Sequence, residues 1–146
     1  MLSERGEGFR RILVPTDLTN RAVKALRLAS RLAEPGRSRI TLLHVIETVR
    51  GVDFGELKSF YRQLEAKARA EMAAIQRRAL RSGVKATVDV VYGRRAEGIV
   101  EFARRSGVDL IVLPSHRVNP TMVGRDWGTI SYKVGILAAC PVLLVK

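Results

Sequence analysis

The run Asp109-Leu110-Ile111-Val112-Leu113-Pro114 opens the stretch that decides the fold, residues 109–146. It is a short apolar run that a proline stops, which predicts a buried strand. A polar loop follows as far as Gly128-Thr129, then a helical pattern over residues 130–139, and then the apolar run Pro141-Val142-Leu143-Leu144-Val145. A loop of this length in a compact domain is uncommon unless it binds something or is mobile, so it is the first place to expect a ligand.

The preceding chain repeats the same alternation of strand and helix. Residues 10–15, 40–46 and 84–92 have strand patterns, and residues 21–33, 54–82 and 96–105 have helical patterns. This order predicts one parallel sheet with helices on both faces and right-handed crossovers. The runs from Arg11 and Asp109 are the most apolar and should be central, whereas residues 84–92 alternate and should form an edge.

Helical periodicity also predicts which side chains face the sheet. Leu32, Phe60 and Leu137 belong to the apolar faces of the first, second and last helices. Residues of helix-capping type stand before the first helix, namely Thr16, Asp17, Thr19 and Asn20.

Length and composition indicate one domain. The chain has 146 residues, and residues 1–9 form a short polar segment without the apolar core of a signal peptide. No apolar run approaches the roughly 20 residues of a membrane span. A lone cysteine, Cys140, cannot form an internal disulfide, so the expected compartment is the reducing cytoplasm. The 26 Lys and Arg against 14 Asp and Glu give a net charge of +12, which attracts anions.

In parallel sheets of this kind ligands bind beyond the carboxyl ends of the strands. Those ends carry Pro15-Thr16-Asp17 and Pro114-Ser115-His116, which are therefore the expected site. Asp17 has two interpretations, as an acceptor from a ribose or adenine or as a helix cap, and Thr129 as a phosphate contact or a cap. His44 is interpreted as a core residue. No metal-ligand spacing and no nucleophile motif occurs in the sequence, so neither a metal nor catalysis is predicted.

The final strand lacks polar alternation although it comes last in the chain. An apolar strand at a sheet edge invites pairing with another chain. We therefore predict a homodimer formed through Pro141-Val142-Leu143-Leu144-Val145.

Five short segments occur in a fixed order along the chain, namely Ile12-Leu13-Val14-Pro15-Thr16-Asp17, Leu43-His44-Val45, Gly93 with Ile99 and Ala103, Asp109-Leu110-Ile111-Val112, and Ala139-Cys140-Pro141-Val142-Leu143-Leu144-Val145. With these segments, residues 10–146 resemble the universal stress protein domain, an α/β fold of the adenine-nucleotide-binding group. The resemblance implies the strand order 3-2-1-4-5 and dimers, commonly through the last strand. In the members that bind ATP it implies that residues matching Asp17 and Val45 hold the adenosine.

The resemblance also implies a phosphate loop of the pattern Gly, two residues, Gly, nine residues, Gly, then Ser or Thr. Pro114 and Arg117 stand at the first two glycine positions, while Gly128-Thr129 keeps the end of the pattern with one extra residue in the spacing. Proline has no N–H, and arginine adds bulk where main chain should approach a phosphate. The loop is therefore interpreted as degenerate for ATP, with the Arg117 or Arg125 guanidinium as an alternative phosphate contact.

Three functions stay open. The first is a non-catalytic stress-response protein with a degenerate loop that holds an anion or an altered nucleotide, with weak ATP hydrolysis still compatible. The second is a signalling module that binds ATP or AMP. The third is a basic accessory protein that binds nucleic acid or an acidic partner, without a membrane role. The candidate site residues are Pro15, Thr16, Asp17, Val45, Ser115, His116, Arg117, Gly128 and Thr129.

Overall fold

A computed structural model describes residues 8–81, 83–115 and 129–146 of the chain. Of the candidate site residues, His116, Arg117 and Gly128 lie outside the described residues. Arg125 lies outside them too.

Five strands and four helices alternate along the described chain. Their order is β1 (Arg11–Pro15), α1 (Arg21–Leu32), β2 (Arg39–Glu47), α2 (Lys58–Ala79), β3 (Ala86–Gly93), α3 (Arg95–Arg105), β4 (Leu110–Pro114), α4 (Ile130–Leu137) and β5 (Val142–Val145). A 3-10 turn, Phe54–Leu57, precedes α2. The prediction for the second helix was therefore four residues too long at its start, because the Asp53 side chain accepts a hydrogen bond from Gly55 N–H and holds the tighter turn.

The strands form one parallel sheet in the order β3-β2-β1-β4-β5. This confirms the expected α/β class and the order 3-2-1-4-5. β1 is central and β4 lies beside it, as their apolar sequences predict, and β3 is an edge strand, as its alternation predicts. β5 forms the other edge. Because all five strands are parallel, their carboxyl ends lie along one side of the sheet.

Side-chain alternation along the strands divides the core into two layers. Ile12 and Val14 of β1 belong to a cluster with residues of α1 and α2. Leu13, between them, belongs to a cluster with residues of α3 and α4 on the other face. All three side chains are buried, so the sheet is covered by helices on both faces, as predicted.

Three of the predicted inward-facing side chains are exposed. Leu32 is 37% exposed and Leu137 is 54% exposed, because each occupies the last position of its helix. Phe60 is 49% exposed, and its ring is tilted by 56° to that of Tyr61, with ring centroids 5.7 Å apart. Periodicity alone does not detect where a helix extends past its neighbours.

In the part of the chain that the structure describes, no helix combines the length and the apolar character needed to cross a membrane.

Candidate functional site

A cleft opens at the carboxyl edge of the sheet, between the ends of β1, β2 and β4 and the starts of α1, α3 and α4. Its cavity volume, as bounded by the described residues, is about 160 Å³. The lining residues combine an apolar floor with a polar rim. They are Pro15, Thr16, Asp17, Arg21, Leu43, Val45, Arg95, Ile99, Leu113, Pro114, Thr129, Ile130 and Ser131.

The turn after β1 is built by local hydrogen bonds from polar side chains. Thr16 N–H donates to the Leu43 carbonyl at 2.8 Å, so pairing with β2 continues one residue past the strand. Thr16 Oγ1 then accepts from Leu18 N–H at 2.9 Å, and Leu18 has a left-handed φ of 71°. These bonds direct the chain sharply away from the sheet, which leaves the Asp17 side chain at the mouth of the cleft.

None of the capping-type residues caps α1 as the sequence suggested. Asn20 is the N-cap residue of α1, and its side chain forms no capping hydrogen bond. Asp17 Oδ1 instead accepts from Thr19 N–H at 3.0 Å and from Thr19 Oγ1–H, in a local turn ahead of the helix. Asx-type turns compete with capping for the same side-chain oxygens, and here the turn is formed.

The electrostatic surroundings of Asp17 keep it ionised. Partial burial on its own would raise the pKa of the Asp17 carboxyl. The hydrogen bonds from Thr19 and the positive charge of Arg21 together outweigh burial, and the net shift lowers the pKa. Arg21 Nη2 lies 3.4 Å from Asp17 Oδ2. Asp17 is thus an anionic acceptor at neutral pH, suited to the hydroxyl or amino groups of a ligand.

The floor of the cleft is apolar and closely packed. Leu43, Val45, Ile99 and Leu113 are all buried. Helix α3 approaches β2 here through Gly98, where an added Cβ would lie only 3.2 Å from Val45 Cγ1. The absence of a side chain at Gly98 therefore sets the distance between helix and floor, and a flat apolar ligand surface can rest on Val45 and its neighbours.

The start of α4 forms another wall. Thr129 is its N-cap residue, and Thr129 Oγ1 accepts from Tyr132 N–H at 3.4 Å. Ser131, in the first turn, is 9% exposed and also lines the cleft. Thr129 is thus the N-cap of α4. Because this residue also lines the cleft, the positive end of the α4 dipole faces the cleft.

The end of β4 supplies no main-chain donor to the cleft. Pro114 has no N–H. Ser115 N–H donates to the Val145 carbonyl at 2.8 Å, so it is used in the sheet. Pro114 ends β4 and Ser115 follows it, at the position where a phosphate-binding main chain would need free amides.

The cleft is lined by two arginines, Arg21 and Arg95, that the sequence does not predict as site residues. Arg21 is the first residue of α1, and Arg95 is the first residue of α3. Arg95 Nε also lies 4.0 Å from Glu47 Oε1. In a chain with 26 basic residues, nothing local distinguishes these two. The only signal in the sequence is that each opens a helix after a strand.

The structure brings together Pro15, Thr16, Asp17, Val45 and Thr129 of the predicted site. Ser115 is buried next to Pro114 and does not line the cleft. The histidine in β2, His44, is half-buried, and its Nδ1 donates to the Thr16 carbonyl at 2.9 Å, which supports the turn from below. Among the described residues, no cluster of three or more His, Cys, Asp or Glu is placed to hold a metal.

The doubly wound sheet and the cleft at its carboxyl edge define a class of α/β binding proteins. The model of the universal stress protein family matches residues 8–146, and the chain belongs to that family. Universal stress protein YxiE of Bacillus subtilis (strain 168) is 28% identical over 149 residues, which cover 94% of this chain and 99% of that protein.

Solved structures show the same fold. That of the hypothetical protein MJ0577 is 29% identical with a TM-score of 0.76, and the match covers 96% of this chain and 97% of that one. A universal stress protein crystallised in complex with cAMP is 18% identical with a TM-score of 0.70, covering 96% and 99% of the two chains.

Proposed function

We propose that this chain is a non-catalytic stress-response protein whose carboxyl-edge cleft binds an adenine mononucleotide such as AMP. The observation that carries the proposal is the ionised Asp17 acceptor beside the apolar floor around Val45, with Arg21 and Arg95 at the rim. An adenosine group needs such a combination of flat apolar contact and hydrogen-bond acceptor. The cAMP complex of a protein with the same fold supports the ligand class.

The phosphate end of the cleft favours one phosphate over three. Arg21, Arg95 and the start of α4 offer positive charge close to the floor. Pro114 and Ser115 offer no free amide at the position where a longer phosphate chain would need a main-chain cradle. A triphosphate would therefore gain little from its two outer phosphates.

The residues lining the cleft also support a non-catalytic role. Among the described lining residues there is no histidine, cysteine or lysine, and the carboxylate of Asp17 is held by Thr19 and Arg21. A nucleophile and a general base within hydrogen-bond reach of one another are thus not assembled from these residues.

Calorimetry with AMP and ATP tests the proposal. AMP should bind, ATP should bind no tighter than AMP, and Asp17→Asn should weaken AMP binding about tenfold through loss of a charged acceptor. The amide keeps an oxygen for Thr19 N–H, so the turn should survive. Asp53→Asn is the matched control, since Asp53 also holds a local turn, through Gly55 N–H, away from the cleft.

No AMP binding, or equal affinity in Asp17→Asn and the wild type, would contradict the proposal. ATP bound more than about tenfold tighter than AMP would favour the ATP-responsive signalling module instead.

We further propose a homodimer formed through Pro141-Val142-Leu143-Leu144-Val145. β5 is an edge strand, and its Leu143 and Leu144 are 37% and 38% exposed. The adjoining α4 exposes Tyr132 and Ile136 as well. An apolar edge of this kind is stabilised by pairing with a second copy.

Sedimentation velocity tests the dimer. Leu144→Lys should yield monomers, because a charge on the edge opposes strand pairing. Leu32→Lys is the control, since Leu32 is 37% exposed but lies at the end of α1. A dimer that persists unchanged in Leu144→Lys would exclude this interface.

A further inference from the structure

A second concave surface lies at the amino-terminal edge of the sheet, opposite the cleft. We call it the basic groove. Its volume is about 620 Å³. Its lining includes three cationic residues and four hydroxyl residues, namely Arg11, Arg39, Lys85, Ser38, Thr41, Thr87 and Ser106.

The three cations form a row because of the strand register. Arg11 of β1 pairs with Arg39 of β2, and Ile40 pairs with Ala86, which places Lys85 next to Arg39 at the start of β3. Residues in register on parallel strands face the same side of a sheet, and neighbouring strands are about 4.8 Å apart. The row therefore brings three like charges together across three strands, an arrangement that costs stability unless an anion compensates it.

A second row lies one step further along the same face. Thr41 and Thr87 follow Arg39 and Lys85 by two residues, and their Oγ1 atoms are 3.4 Å apart. Thr41 is half-buried and Thr87 exposed, so both hydroxyls border the groove. Cations with hydroxyls behind them match the acceptor oxygens of phosphate groups.

Helix ends account for other arginines at this end of the molecule and for Arg11, which contacts the C-cap residue of α3, but not for Arg39 and Lys85. Basic residues in the last turns of α1, α2 and α3 compensate the negative helix ends, and they are Arg31, Arg77, Arg78, Arg104 and Arg105. Arg11, Arg39 and Lys85 instead precede or begin strands. The side chains of Arg39 and Lys85 form no hydrogen bond or ion pair with any described residue, while Arg11 Nη1 donates to the Ser106 carbonyl at 2.8 Å.

Acidic residues near the groove do not neutralise it. None of its described lining residues is acidic. The Asp109 carboxylate accepts hydrogen bonds from the main-chain N–H groups of Arg10 and Arg11, at 2.8 and 2.9 Å. Asp89 lies two residues beyond Thr87 on β3, opposite Leu43 in the register, and so further into the sheet.

We propose that the basic groove binds a short chain of linked phosphate groups that carries no nucleobase. The row of cations across three strands suits several consecutive phosphates, and the hydroxyl row supplies further donors. No described residue of the groove is aromatic, so the stacking platform on which bases of single-stranded nucleic acid rest is missing there. The ligand class is thus an oligophosphate, and the site is separate from the nucleotide cleft.

Calorimetry with inorganic tripolyphosphate at low salt, in the presence of saturating AMP, tests this site. The double variant Arg39→Gln/Lys85→Gln should lose affinity for tripolyphosphate roughly tenfold or more, because two unpaired cations are removed. The control Lys58→Gln/Arg62→Gln removes the same charges from exposed positions on α2 and should change the affinity less than about twofold. Added salt should weaken binding in the wild type.

Two comparisons complete the test. An equal loss in both double variants, or no binding of tripolyphosphate to the wild type, would overturn the site. A single-stranded oligothymidylate or a DNA duplex that binds the groove more tightly than tripolyphosphate would overturn the base-free assignment. Weaker binding of both nucleic acids would support it.

Discussion

The two ends of the sheet carry concave surfaces of opposite construction. At the carboxyl edge, Asp17 and Arg21 form an ion pair of 3.4 Å beside an apolar floor. At the amino edge, the side chains of Arg39 and Lys85 form no hydrogen bond or ion pair with any described residue, and hydroxyl residues line the groove beside them. One end is suited to a flat, partly apolar ligand with a single phosphate group, and the other to a ligand that consists mainly of phosphate groups.

This difference follows from the direction of the chain in a parallel sheet. Strands end at helix N-termini, where turns such as Thr16-Asp17-Leu18-Thr19 form and partial positive charge accumulates. Strands begin after helix C-termini, where basic side chains are favoured. The amino edge has more positive charge than the helix ends need, because Arg39 begins β2 and Lys85 directly precedes β3.

The largest expected effect separates structural from functional cations at the amino edge. Arg81 Nε and Nη2 donate to the carbonyls of Ser30 and Ala33, both at 2.8 Å, and so satisfy the end of α1. Arg81→Met should lower the free energy of unfolding by about 1–2 kcal/mol. Lys85→Met should change it by less than about 0.5 kcal/mol. Urea unfolding measures both.

Equal destabilisation by these two substitutions would show that Lys85 has a structural partner. Such a result would contradict the proposed oligophosphate site, which depends on cations that the fold does not need.

A smaller effect concerns the floor of the cleft. Gly98→Ala puts a methyl group 3.2 Å from Val45 Cγ1, and the Val45 side chain is buried and stiff. We therefore expect the free energy of unfolding to fall by about 1 kcal/mol, even though alanine has the higher helix propensity. In α4, a methyl group added by Gly135→Ala would have no atom within 4 Å, so this substitution should raise the free energy of unfolding by about 0.5–1 kcal/mol. Thermal or urea unfolding compares them.

AMP affinity adds a second readout to this pair. Gly98→Ala should weaken AMP binding because Val45 shifts, whereas Gly135→Ala should leave it unchanged. Stabilisation by both substitutions, with unchanged affinity, would mean that the close approach of α3 does not shape the cleft.

The sequence predicts the fold well because the fold depends on local patterns. Apolar runs ended by Pro15 and Pro114 mark buried strands, and the alternation at residues 84–92 marks an edge. The errors fall at helix ends, where Leu32 and Leu137 continue an apolar face beyond their neighbours. Burial at such positions depends on tertiary contacts, which periodicity does not contain.

The candidate site is less predictable because it depends on contacts between distant segments. An aspartate before a helix, such as Asp17, is compatible with a ligand contact and with a helix cap. Only its hydrogen bonds with Thr19 show that Asp17 is not the cap. Arg21 and Arg95 become recognisable only when α1 and α3 start at the same cleft. The basic row likewise needs the register of β1 and β2, which the sequence does not provide.

The smallest expected effect is the pH dependence of Asp17. Folding lowers its pKa, so the ionised carboxylate stabilises the fold at pH values above its ordinary pKa of 3.8, and this contribution is lost as the pH falls below that value. Wild type should therefore be more stable than Asp17→Asn at neutral pH, and the difference should vanish in acid. A difference that is constant from pH 7 to about pH 3 would show that the charge on Asp17 is unimportant.

The most direct test of two separate sites is a crossed titration of three proteins with AMP and with tripolyphosphate. Asp17→Asn should lose AMP affinity and keep tripolyphosphate affinity, and Arg39→Gln/Lys85→Gln should do the reverse, with the wild type binding both. If either variant loses both ligands together while remaining folded, the two ends of the sheet do not act as separate sites and the account is wrong.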